Sequence, residues 1–264
     1  MQNTIAPLVR RNLISGLIIA TSSLAAQPLE LPIDHPAQQL LRQGDTFAAI
    51  RQLRAAEARH PRDGNTVLLL AYAYYLAGQK TLFAQKAAAA IPLLPQSPDP
   101  HYALGRYYLD DVGRCDRASA EFRQALARNP QHSPSLYHLG WCLELDQQPE
   151  EAARHYQLAN SWLGHLGLAR LALDANEPEK ALAAANRAAR LAPNAFLVHA
   201  LLGKIHQRRG DCRQALPAFE RAATLDPTDA PILYQLARCA AALGNTTLQR
   251  ETLERYERLR ALYN

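Results

Sequence analysis

The chain has 264 residues, 48% of them hydrophobic and 20% charged, with a formal net charge of +5. That balance excludes a disordered polymer, and 12 Gly with 17 Pro exclude a collagen-like or low-complexity chain. So small a positive surplus over this length also excludes the concentrated basic field of a nucleic-acid binder.

The first segment is built unlike the rest. No acidic residue occurs up to Gln27; Arg10 and Arg11 supply positive charge, Leu13 to Ala20 is apolar, and Thr21 to Ala26 are mostly small. That order is the order of a secretory signal peptide. It predicts a signal over residues 1–26, cleaved near Ala25 or Ala26, and a mature chain exported to the periplasm. The apolar run is shorter than the roughly 20 residues a spanning helix takes, and no other stretch is apolar enough. No transmembrane segment is expected in the mature chain. Residues 27–35, with Pro28 and Pro32 and then Pro36, read as an extended leader.

Everything after the leader repeats. Units start at about residues 30, 64, 98, 133, 162, 196 and 230. The unit at Pro98 has Leu104, Gly105, Tyr108, Ala118, Phe122, Ala125 and Pro130. The unit at Phe196 has Leu202, Gly203, Ala215, Phe219, Ala222 and Pro227, and the unit at Ser133 has Leu139, Gly140, Ala152, Tyr156 and Ala159. Each unit carries apolar residues at helical spacing. Gly78, Gly210 and Gly244 fall between two helical runs, where they end the first. A proline such as Pro130 or Pro227 stops the second. Small residues at the eighth and twentieth positions let paired helices approach closely.

The pattern resembles the tetratricopeptide repeat family, whose unit is about 34 residues. The resemblance implies an all-α, right-handed superhelical solenoid of about six to seven helical hairpins over residues 36–264, each too small to hold a core without its neighbours. It also implies a non-catalytic protein–protein interaction scaffold. Between Ser133 and Trp162 the spacing falls to 29 residues. This predicts a shortened first helix at Trp162 and a local change in path. The last stretch, Thr246 to Tyr263, carries Arg250, Glu251, Glu254, Arg255, Glu257 and Arg258, a polar exterior suited to a terminal cap.

Four cysteines form two pairs of equal spacing: Cys115 to Cys142 is 27 residues, and so is Cys212 to Cys239. Each pair is centred on an inter-repeat turn, Asn129-Pro130 or Asp226-Pro227. Antiparallel helices joined by such turns bring the two residues to one height, so disulfides Cys115–Cys142 and Cys212–Cys239 are expected. A four-cysteine zinc site is sterically excluded, because the pairs lie about three repeats apart.

Nothing else carries chemistry. The nine histidines show no metal-binding spacing. A phosphate loop and a nucleophile elbow are both missing, and Asp110, Asp111 and Asp116 do not match a calcium loop. No cofactor, no metal and no enzymatic activity are expected.

The resemblance places the first helix of every unit along a groove. Its ninth position holds Tyr72, Arg106, Trp141, Arg170, Lys204 and Arg238, and its fifth holds Tyr102, Tyr137 and Tyr234 among others. Exposed aromatics beside arginine are the composition of interface hot spots, and arginine holds carboxylates bidentately. The expected ligand is an extended or helical protein segment with acidic residues, and the expected role an adaptor aiding assembly of a secretion, pilus or exopolysaccharide complex. Two alternatives are a scaffold contacting an anionic polysaccharide and an oligomerising structural component.

Overall fold

In the computed structural model, residues 35–109 and 114–262 are described. The predicted signal peptide, nearly all of the leader, and the Asp110-Asp111 turn lie outside them. The described residues form fourteen helices and no strand. They divide into two compact units, residues 1–128 and 129–264.

The first unit holds α1 (Ala37–Arg42), α2 (Thr46–Arg59), α3 (Gly64–Leu76), α4 (Lys80–Ala90), α5 (Asp99–Leu109) and α6 (Cys115–Arg128). Asp45 and Asp63 cap α2 and α3, accepting from the amides of Ala48 and Asn65 at 3.0 and 3.1 Å. α3 is apolar all round because neighbours cover nearly every side of it; Val67 through Tyr74 are all buried. They join Leu53, Phe83, Ala87 and Leu104 in one core.

The second unit holds α7 (Ser133–Leu145), α8 (Pro149–Ala159), α9 (Trp162–Asp174), α10 (Pro178–Leu191), α11 (Phe196–Arg208), α12 (Cys212–Leu225), α13 (Ala230–Ala242) and α14 (Thr246–Leu262). These are four consecutive hairpins, whose first helices begin at Ser133, Trp162, Phe196 and Ala230. Gly210 and Gly244 end α11 and α13 with φ of 75° and 73°, a left-handed turn that suits glycine. Gln147 and Asn176 take the same conformation at the corresponding turns.

Within a hairpin, the small residue of the first helix seats the large residue of the second. A Cβ on Gly203 would strike the ring of Phe219, and one on Gly105 the ring of Phe122. Both rings are fully buried.

The shortened repeat differs from expectation. α9 keeps 13 residues, the same as α7, α11 and α13. The loss falls before it: α8 has 11 residues against 14 in α10 and α12. The linker is also only Asn160, in a left-handed conformation, and Ser161, which caps α9. Two glycines make this junction possible. A Cβ on Gly164 would overlap the Tyr156 carbonyl oxygen, and one on Gly167 would sit 2.7 Å from the Tyr156 ring. Gly140 closes on the same ring from α7, also at 2.7 Å.

Candidate functional site

In the first unit, Tyr72 on α3 and Tyr102 and Arg106 on α5 are 7, 3 and 8% exposed. They are buried, contrary to the exposed surface expected of them. Arg106 donates to the Tyr102 and Tyr75 hydroxyls at 3.3 and 3.1 Å, with its guanidinium 5.9 Å from the Tyr75 ring centre. Burial works against its charge, but the surrounding tyrosines outweigh it and hold Arg106 cationic. Burial likewise raises the Tyr72 hydroxyl well above its ordinary value. The set is a polar nucleus inside helix packing.

The second unit corrects two more candidates. Tyr137 is fully buried and Trp141 is 7% exposed, so neither presents an aromatic face to a partner. Tyr137 packs instead on Tyr156, ring centres 5.6 Å apart. Arg170 is already engaged. Its Nε donates to Glu144 Oε1 at 2.8 Å and its Nη2 to Glu144 Oε2 at 2.8 Å. The same nitrogen donates to the Tyr156 hydroxyl at 2.8 Å, and that hydroxyl donates to Glu144 Oε2 at 2.9 Å. Arginine, carboxylate and phenol close a ring of charge-assisted bonds between α7, α8 and α9. Burial and the nearby Glu144 charge raise the Tyr156 pKa, against the pull of Arg170.

Lys204 on α11 and Tyr234 and Arg238 on α13 remain exposed, Tyr234 by 44%. Crowding desolvates the Lys204 ammonium and lowers its pKa; Arg170 adds to this, and Asp229 and Asp174 oppose it. Asp174 at the end of α9 is raised by burial and by Glu144, against Arg170, Arg208 and Lys204. Asp229 is raised by burial, against its own capping bond to the Ile232 amide at 2.8 Å and the Lys204 charge. Arg238 donates only to a neutral partner among the bonds described, Gln235 Oε1 at 3.4 Å, which Gln207 also reaches at 3.0 Å. Tyr234 packs against Tyr256 with the rings tilted by 42° and their centres 5.6 Å apart. The surface is therefore of mixed sign, with Asp174 and Asp229 acting on Lys204. Sequence reasoning placed Arg170 at a groove position without pairing it with Glu144; the 26-residue separation offered no local signal.

The expected Cys212–Cys239 bridge is not closed. Both are thiols, with Sγ atoms 3.0 Å apart against about 2.05 Å in a disulfide. Cys115 and Cys142 belong to different compact units, and their pairing stays an expectation. Among the described residues no three His, Cys, Asp or Glu side chains gather as a metal cluster, and no helix is long and apolar enough to cross a membrane.

A family model described as tetratricopeptide repeat matches residues 37–98, 102–164 and 200–263, more than half of the chain. Among curated proteins, none matches. Solved structures share the fold. PilF of Pseudomonas aeruginosa is 20% identical at a TM-score of 0.64, the match covering 75% of this chain and 93% of that one. PilW, described as a widely conserved type IV pilus biogenesis factor, is 19% identical at 0.61, covering 72% and 90%. A chain of the anaphase-promoting-complex assembly Cut9–Hcn1 is 16% identical at 0.65, covering 81% of this chain but only 43% of its own length.

Proposed function

The chain belongs to the tetratricopeptide repeat family, and from that premise we propose that it is a non-catalytic scaffold whose partner segment docks on the first helices of the second unit. Proteins of this family are in general protein–protein interaction scaffolds. The observation that carries the reading is a contrast in exposure. Of nine candidate contact residues, Lys204, Tyr234 and Arg238 stand open to solvent on α11 and α13, while the others are buried or bound. Arg238 has no carboxylate among its described bonds, and the Lys204 ammonium is exposed on α11. A partner carboxylate would satisfy both, so the segment proposed is acidic.

We place the protein in the periplasm on the strength of residues 1–26, as an adaptor in assembly of an envelope machine. The shared fold with PilF and PilW makes a pilus or secretion complex the first machine to examine. A photo-reactive residue at Tyr234, activated in the native envelope, tests the role. Cross-links to an acidic segment of another protein are expected. Cross-links only to a second copy of the chain, or to glycan, would replace this reading with the oligomeric or polysaccharide one. The double variant Lys204→Glu, Arg238→Glu should weaken capture of the cross-linked protein at least about tenfold; undiminished capture would remove these residues from the site.

A further inference from the structure

Cys212 is the first residue of α12 and half-exposed, just after the capping Asp211, which accepts from the Gln214 amide at 3.1 Å. Cys239 lies on α13 and is fully buried. Their sulfurs are 3.0 Å apart. The Gln207 amide of α11 reaches Cys239 Sγ at 3.8 Å while donating to Gln235 at 3.0 Å. Cys115 and Cys142 occupy the same places in their own helices: the first residue of α6, half-exposed, and a fully buried position on α7.

We propose that Cys212 and Cys239 are a dithiol–disulfide clasp, closed by exchange with an external disulfide, that staples α12 to α13. Cys212 is the entry sulfur because it alone is reached from solvent. It gives its proton to water and attacks one sulfur of the external disulfide. That S–S bond breaks, one thiolate leaves and is protonated, and a mixed disulfide forms on Cys212. Cys239 then gives its proton, by way of solvent, to the departing thiolate and attacks the Cys212 sulfur. The mixed S–S bond breaks and the second thiolate leaves and is protonated. Two protein thiols and one disulfide become one protein disulfide and two thiols, and two electrons pass to the external disulfide. In the dithiol state burial and the neighbouring thiol push Cys239 up to about 12, so it is the sulfur less ready to attack first. Closure needs the sulfurs to move by about an ångström from their 3.0 Å separation. It fixes α13, which carries Tyr234 and Arg238, but does not depend on what those residues bind.

The test uses the full chain incubated with glutathione disulfide, then digested without reduction and mapped by mass spectrometry. The expected product is a peptide linking Cys212 to Cys239, with an unfolding midpoint raised by at least about 5 °C and restored by dithiothreitol. The variant C115S/C142S, which leaves one pair, should give the same link; the unsubstituted chain answers independently if that variant folds poorly. C239S should trap glutathione on Cys212, and Cys239 in C212S should react at least about tenfold more slowly. Persistent glutathione on Cys212 in the unsubstituted chain beside a Cys239 thiol, or Cys212 linked elsewhere, would overturn the clasp. Equal rates in the two single variants would overturn the order of attack.

Discussion

Arg170 shows how a side chain's task is set by what folds against it. Its charge is committed to Glu144, and the two side chains keep 17 and 14% exposure. Removing one partner strands the other, so Arg170→Met is expected to cost about 3 kcal/mol by chemical denaturation. The double variant Arg170→Met, Glu144→Leu should cost clearly less than the sum of the single changes. Asp63 offers a pH-dependent case. A hydrogen bond from the Thr66 hydroxyl, 2.5 Å from its carboxylate, leads the causes that lower its pKa below the ordinary 3.8. A depressed acid stabilises the fold above its unfolded pKa and loses that contribution as pH falls through its folded value. Thr66→Val should therefore cost about 1 kcal/mol near neutrality. The gap between variant and parent should narrow as pH drops below 4, read from unfolding midpoints across an acid series. The repeat showed which positions are aromatic or basic. It did not show which are covered, because Tyr137 at 0% exposure and Tyr234 at 44% hold the same place in their units.

Among the helices, α12 departs from good helical chemistry. Pro217 sits in its interior and is exposed. It removes one amide donor from the ladder without adding buried surface. Pro217→Ala should stabilise by about 1–3 kcal/mol, visible as a higher melting temperature. The opposite outcome is expected one helix earlier. Gly203→Ala puts a methyl group into the Phe219 ring and should cost about 1–3 kcal/mol, partly recovered by Phe219→Leu. This pairing of small and large residues was legible, because it recurs as Gly105 with Phe122 and Gly140 with Tyr156. The short repeat was legible only as a count. Five missing residues announce themselves, but whether a helix or a turn gives them up depends on glycine contacts that no period encodes.

For the molecule as a whole, helical hairpins in series mean that each helix is only as secure as the neighbours it has. α14 keeps a single buried residue, Thr252, over its described side chains, whereas α12 buries Ala215, Phe219, Ala222 and Ala223. Amide hydrogen exchange should therefore find α14 opening first in the second unit, with α12 protected longest of the two. Equal protection in both would show that the terminal helix is held by more than this packing. The fold class was readable because every unit repeats the same local rule. The contact surface was not, because exposure depends on neighbours about 30 residues away in sequence.

The junction at Tyr156 has a consequence for anyone who would lengthen it. Giving the short repeat five residues should move Tyr156 away from Gly164 and Gly167, which now close on its carbonyl and its ring. Deletion and glycines go together as one adaptation, since a side chain at either glycine collides with Tyr156 while the linker stays this short.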